Sequence, residues 1–375
     1  MKTRAAILDK VGHRPPFGES VPLTVEEIDL ADPGPGEVLI SVTAAGVCHS
    51  DLAVVDGTRP WPMPMVLGHE AAGVVLGLGV GVESVSEGDQ VVLSFVPACG
   101  ICPTCVEGRP VLCPSAQIAN GEGRLTTGRR PFKRNGAAVN THLGVGAFAE
   151  RTVVSELSVI TLPGDVPPQV AAVMGCAVVT GVGAVLNTAG VREGQSVAVF
   201  GLGGVGLAVV MGAVLAGANP IIAIDAVGAK LDRARHLGAT GTVDASSVDA
   251  VEAVRDLSGG GVDFAFEAVG SADVLKQCYL AAGSGGSAVS IGLSPRQSEI
   301  TINALSLVGL EKTLRGSYMG SARPRADIPR YVDLWRAGLL PVDELITRSA
   351  IPIDDVNDAL DRLAEGQEIR QIIEP

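Results

Sequence analysis

Between residues 38 and 154 the apolar positions come in short β-branched runs, VLISVTA, GVVLGLGV, QVVLSF and RTVVS, each broken by glycine or proline. Runs of that length bounded by turn residues predict strands, and a series of them predicts a β-rich, barrel-like region whose chemistry sits on its loops. From about residue 178 the pattern changes. Apolar strands (SVAVFG, PIIAIDA, VDFAFEAVG, SAVSIGL) alternate with amphipathic segments such as AKLDRARHLGA and ADVLKQCYLAAG, which predicts an α/β domain with a doubly wound parallel sheet. After Gly316 two helical stretches, DIPRYVDLWRAGLL and DDVNDALDRLAEG, and a strand-like IRQIIE follow with no glycine-rich turn of their own. Periodicity alone leaves this tail open to either half.

Two uncharged stretches, 166–191 and 196–224, are long enough to raise the question of membrane spans. The second holds six glycines and Asn219-Pro220 near its end, a pattern that suits strand, tight turn and buried helix better than a lipid-facing span. The expectation is therefore no membrane. The N-terminal MKTRAAILDKVGHRPP has no continuous apolar core and no small-residue cleavage site, so no secretory signal is read and the cytoplasm is the expected address.

Composition narrows the picture further. A chain of 375 residues with 47% hydrophobic content can bury a large core, suggests two domains and excludes disorder. A net charge of −13 with no basic block argues against nucleic acid as a partner. Seven cysteines are an odd number for a disulfide framework, and four of them crowd into fifteen residues, which points to metal ligation in a reducing compartment.

Those four are Cys99, Cys102, Cys105 and Cys113, spaced CxxCxxCx7C in a loop rich in glycine and proline. Four thiolates complete a closed tetrahedral zinc site, which leaves no position for substrate and so reads as structural. An iron-sulfur cluster takes four cysteines as well. A partner-binding zinc ribbon is a further reading, disfavoured for nucleic acid by a loop with only Arg109 and no aromatic residue. A second set is scattered: Cys48 in GVCHSD, His69 in GHEAAG and Cys176 in MGCAVVTG. Singly each reads as core; together they supply two thiolates and an imidazole, a three-ligand zinc set with its fourth position open, which is a Lewis acid. A third signal is SVAVFGLGGVGLAVV, where Gly201, Gly203 and Gly206 form GxGxxG between a strand and a helix, the context in which the backbone and helix N-terminus receive a pyrophosphate. Asp225 ends the next strand, IIAID, where a carboxylate would bind ribose hydroxyls and repel the extra phosphate of NADP; the alternative is a solvated strand-end residue.

The order GHEAAG, CxxCxxCx7C, GLGGVG resembles the zinc-dependent alcohol dehydrogenases of the medium-chain dehydrogenase/reductase superfamily over essentially the whole chain. The resemblance implies an α/β protein with a GroES-like β-rich catalytic domain over 1–178, rejoined by 319–375, and a Rossmann NAD-binding domain over 179–318. It implies two zincs per subunit, one catalytic at Cys48, His69 and Cys176 and one structural at the four cysteines, with NAD as cofactor. It makes Glu70 the acid behind the metal, Asp51 the carboxylate that orients the histidine ligand (with a helix cap as the alternative) and Ser50 the relay hydroxyl. Where the family often carries a histidine three residues after Ser50, this sequence has Ala53. His49 matches a cationic position facing the pyrophosphate, or is a surface histidine. Thr180, Val205, Asp225, Lys230 and Arg370 match positions around the nicotinamide, ribose and phosphates. Arg59, Trp61 and Phe95 match the substrate channel: the two rings favour aromatic, allylic or medium-chain primary alcohols over ethanol, and Arg59 adds a carboxylate-binding charge. The 114–146 extension looks like that of the dimeric branch and implies a homodimer. His13, His142, His236 and Cys278 match no site and read as core or surface. The implied reaction passes hydride between a primary alcohol or its aldehyde and NAD; the alternatives are oxidation of an S-hydroxymethyl thiol adduct and, distantly, a non-catalytic zinc-containing binding module.

Overall fold

A computed structural model describes residues 1–366 and 368–375. The chain divides into two compact units: Met1–Cys176 with Arg323–Val332 and Val342–Pro375, and Ala177–Ala322 with Asp333–Pro341.

The first unit holds a five-stranded closed barrel and a seven-stranded sheet. The β-branched runs become the strands Glu37–Val47, Glu70–Leu78, Gln90–Leu93 and Arg151–Ser155, which are buried along most of their length, with Leu39 and Val153 joining Ile7, Ile28 and Phe132 in one core. Glu37–Val47 is the hub. It pairs antiparallel with Glu70–Leu78, with Arg151–Ser155 and with Arg370–Glu374. IRQIIE of the tail thus completes a sheet of the first unit.

The second unit is a six-stranded parallel sheet in the order Gly241–Asp244, Ile221–Asp225, Val197–Phe200, Val262–Glu267, Ala282–Ser290, Thr313–Gly316. Strand order reverses beside Val197–Phe200, the position at which sheets of this kind receive their ligands. The predicted amphipathic segments form helices Gly228–His236 and Ala272–Ala281.

Both uncharged stretches are accounted for. The helical run Pro168–Ala189 is long and apolar enough to cross a bilayer, yet 83% of its most apolar window is buried within the protein. In 196–224 the strand Val197–Phe200 is wholly buried, and so is most of the helix Gly204–Leu215 that follows it. Burial on all sides explains why neither helix shows a polar face.

Candidate active site

Sheet register brings the first donors together. Gly46 pairs with Glu70 across the two antiparallel strands, so Cys48, just past the end of one strand, and His69, just before the start of the other, meet at one edge. Glu70 needs the space beside Gly46: a Cβ there would lie 2.5 Å from Glu70 Oε1. Cys176 arrives from the Pro168 helix within a π-turn, Met174–Val178, a widened turn that re-aims side chains and is frequent at functional sites. Its neighbour Gly175 packs so closely on strand Gln90–Leu93 that a Cβ would stand 2.9 Å from the Leu93 carbonyl oxygen.

The donor set fits zinc. Cys176 Sγ is 3.5 Å from His69 Nε2, and the ligating atoms of Cys48, His69 and Cys176 all lie within 4.8 Å of one another. A tetrahedral zinc with its usual bond lengths holds sulfur and nitrogen about 3.6 Å apart and two sulfurs about 3.8 Å apart. A hydrogen bond from Cys176 and then the Arg370 cation hold the Cys48 thiol well below its ordinary value despite burial, while the same bond pushes the Cys176 thiol up.

Around these donors Asp51, Glu70 and Arg370 are buried and each faces an oppositely charged or chargeable partner. Asp51 accepts from the Cys48 amide through Oδ2 (3.2 Å), and through Oδ1 from the Gly68 amide (3.2 Å) and His69 Nδ1 (3.1 Å). It therefore both caps helix His49–Val55 and fixes the tautomer that leaves His69 Nε2 facing the two sulfurs. Against its own burial, the Asp51 carboxyl is held well below the carboxylate range by His69 and His142; against burial too, Asp51 pushes His69 up. Glu70 forms an ion pair with Arg370 Nε at 3.2 Å, and burial pushes its carboxyl up to about 7. Arg370 Nη2 lies 3.7 Å from Cys48 Sγ.

His142, expected to be an ordinary core or surface histidine, lies inside this group. It is 1% exposed, its Nδ1 stands 3.1 Å from Asp51 Oδ1, and its ring meets those of His69 (5.3 Å) and Trp61 (5.8 Å) edge to face. Phe95 meets His69 likewise at 5.5 Å. Four rings, Phe95, His69, His142 and Trp61, thus follow one another in a row. Sequence reading missed His142 because no motif surrounds it; it falls in the extension noticed only for its length. That extension is tied down by Asn120, whose Nδ2 donates to the Phe95 carbonyl at 2.8 Å.

Cys99, Cys102, Cys105 and Cys113 converge, with all four sulfurs within 4.8 Å of one another and Cys102 Sγ 3.9 Å from Cys113 Sγ, close to the separation a closed zinc site requires. The Thr104 hydroxyl and the Cys105 amide lower the Cys102 thiol to about 6, whereas burial pushes the Cys105 thiol up to about 12.

In the second unit the glycine turn has a steric cause. Gly201 has φ +91°, and a Cβ on Gly206 would sit 1.8 Å from the Gly201 carbonyl oxygen. Gly203 precedes the first turn of helix Gly204–Leu215 with open space at its Cβ position, as an approaching phosphate would need. Asp225 ends its strand and accepts from the Leu202 amide (2.7 Å) and the Val227 amide (3.0 Å).

Two family models match the chain: the alcohol dehydrogenase GroES-like domain over residues 34–164 and the zinc-binding dehydrogenase domain over 204–336. The chain is a zinc-dependent alcohol dehydrogenase of the medium-chain dehydrogenase/reductase superfamily. Among the relatives of this alcohol dehydrogenase is the S-(hydroxymethyl)glutathione dehydrogenase of Escherichia coli O157:H7, 38% identical over the full length of both chains. Solved structures similar to it include an alcohol dehydrogenase zinc-binding domain protein from Burkholderia ambifaria (34% identity, TM-score 0.93, covering 100% of this chain and 99% of that one). The benzyl alcohol dehydrogenase of Acinetobacter calcoaceticus is close behind (31%, TM-score 0.92, with the same coverage). The dehydrogenase is accordingly an oxidoreductase with zinc and a nicotinamide dinucleotide as cofactors, and its fold is the expected pairing of a GroES-like and a Rossmann domain.

The remaining predicted residues of the dehydrogenase fall on both units. His49, Ser50 and Ala53 share helix His49–Val55, with His49 exposed and Ser50 and Ala53 half-buried. Arg59 and Trp61 are half-buried on the segment after that helix. Thr180 is buried in helix Val179–Gly183, Val205 lies between Gly204 and Gly206 in the first turn of helix Gly204–Leu215, and Lys230 is half-buried near the start of helix Gly228–His236. Arg370, expected at the cofactor phosphates, is 3% exposed and set against Glu70 and Cys48.

Proposed function

We propose that this alcohol dehydrogenase oxidises the hydroxymethyl carbon of an S-(hydroxymethyl) thiol adduct, reversibly, with NAD. The observation that carries this reading is the 38% identity to S-(hydroxymethyl)glutathione dehydrogenase over the whole of both chains, on a chain that keeps a three-donor metal set. Arg59 supports it, since a thiol such as glutathione carries carboxylates that a guanidinium binds well. A second reading, an aromatic or allylic primary alcohol, is favoured by Trp61 and Phe95 at the ring row and by the likeness to benzyl alcohol dehydrogenase.

When bound, zinc at Cys48, His69 and Cys176 supplies a Lewis acid for the substrate oxygen, and NAD accepts the hydride. The chain's own residues do the rest. Asp51 holds His69 in the donor tautomer, the Glu70–Arg370 pair balances the thiolate charge behind the donors, and the Ser50 hydroxyl takes the alcohol proton and passes it on. With Ala53 in place of a relay histidine, that proton leaves through water. Asp225 receives the adenosine ribose, and Gly201, Gly203, Val205 and Gly206 receive the pyrophosphate, with His49 and Lys230 supplying positive charge and Thr180 packing on the nicotinamide. The four-cysteine site is structural. Seven cysteines, none in a disulfide among the described residues, suit a reducing compartment such as the cytoplasm.

A homodimer is part of the same proposal. Thr313–Gly316 is an exposed edge strand, and Leu305 and Val308 on the preceding helix are 78% and 76% exposed; an unpaired edge with apolar cover suits a second copy of the chain.

The deciding assay follows NADH formation with formaldehyde plus glutathione, benzyl alcohol, geraniol, hexanol and ethanol. Turnover greatest with formaldehyde and strictly dependent on the thiol, and lost in Cys48→Ser, supports the reading. Thiol-independent turnover of benzyl alcohol alone replaces it with the second.

A further inference from the structure

We propose that His142 is a positioning residue of the metal site: together with His69 it holds the Asp51 carboxylate, and through that carboxylate it fixes His69 toward the metal. This inference rests on the reading of Cys48, His69 and Cys176 as a zinc site. Two donors meet on a single buried oxygen, Asp51 Oδ1, the Gly68 amide at 3.2 Å and His69 Nδ1 at 3.1 Å, and His142 Nδ1 stands 3.1 Å from the same oxygen in ion-pair range. Asp51 and both histidines are 1% exposed or less. His142 Nδ1 has no other polar atom to satisfy it, and its approach to Oδ1 falls outside good hydrogen-bond alignment. Burying an imidazole nitrogen is costly unless something offsets it, and the nearby Asp51 carboxylate offers that nitrogen its electrostatic partner.

Delivery of the ring is specific. His142 opens a short 3-10 turn, His142–Gly144, in which Leu143 adopts φ 50°, and its carbonyl accepts from the amides of Val145 (2.9 Å) and Gly146 (3.2 Å). The turn leaves the imidazole wedged between the rings of His69 and Trp61. Without the wedge, Asp51 gains room to rotate and water gains access to the His69 N–H. Partners one shell out from a metal of this kind typically alter affinity or activity about 10- to 100-fold.

The test compares zinc release from the wild type, His142→Phe, His142→Asn and His142→Gln to a chromogenic chelator, with kcat and KM measured alongside. Asn places an amide nitrogen where Nδ1 stood; Phe keeps the ring and Gln keeps polarity, but neither places a donor there. The expected result is one zinc equivalent released about tenfold or more faster in the Phe and Gln variants, with kcat falling, KM for NAD unchanged and the second zinc equivalent released as in the wild type. The Asn variant stays near the wild type. Wild-type release from the Phe and Gln variants overturns the proposal, as does an Asn variant as impaired as the other two; the Asn and Gln pair decides if the Phe variant does not fold. A wild type with no zinc that Cys48→Ser removes would instead overturn the metal-site reading itself.

Discussion

At the scale of single residues, the site works by giving each buried charge a partner. Ser50 tests the proton route: Ser50→Ala removes the hydroxyl without touching a donor, and kcat is expected to fall about 10²- to 10⁴-fold with KM for NAD unchanged, read by steady-state kinetics. Asp225 tests cofactor choice. Asp225→Ser removes the charge that repels a 2′-phosphate, and the ratio of kcat/KM for NAD over NADP is expected to drop by about tenfold or more, a change of about 1.4 kcal/mol; an unchanged ratio would place the discrimination elsewhere. Cys48, His69 and Asp225 stand beside strand ends within short motifs, and the four clustered cysteines are marked by their spacing, so these positions were legible along the chain. His142 was not, because its partner Asp51 lies 91 positions away in the chain (142 − 51), and nothing in the local pattern of residues 137–146 records a contact at that distance.

At the scale of elements, the glycine turn separates packing from binding. Gly206→Ala drives a Cβ to 1.8 Å from the Gly201 carbonyl oxygen and is expected to destabilise the fold by about 1–3 kcal/mol through overpacking, seen as a lower melting temperature even without cofactor. Gly203→Ala meets open space, so its melting temperature should stay near the wild type while NAD affinity falls, read by calorimetry; a variant that binds NAD normally would remove Gly203 from the phosphate site. Strand positions were readable from short β-branched runs bounded by glycine and proline, and helices such as Gly228–His236 and Ala272–Ala281 from their amphipathic segments. The pairing of Arg370–Glu374 with Glu37–Val47 was not, since sheet register between distant segments leaves no periodicity of its own. The family resemblance implied only that the tail rejoins the first domain, not which strand it pairs with.

At the scale of the whole molecule, two metals and a second copy are expected to separate by experiment. A strong chelator should strip the Cys48, His69 and Cys176 metal first, abolishing turnover with little change in melting temperature, and then the four-cysteine metal with a marked fall in it; the two losses are followed by zinc release and thermal scans. Val308→Glu, on the exposed helix beside the Thr313–Gly316 edge, should shift the mass seen in light scattering from dimer to monomer. A mass that does not change would move the interface elsewhere. The contact between Arg370 and Cys48 spans 322 residues, with the entire nucleotide-binding unit made in between. During synthesis, therefore, Cys48, His69 and Glu70 emerge from the ribosome long before the arginine that balances them, and the nascent chain carries an uncompensated acidic and thiol-rich edge until the Rossmann sheet has been translated. The Glu70–Arg370 pair can therefore close only once the strand Arg370–Glu374 has been made.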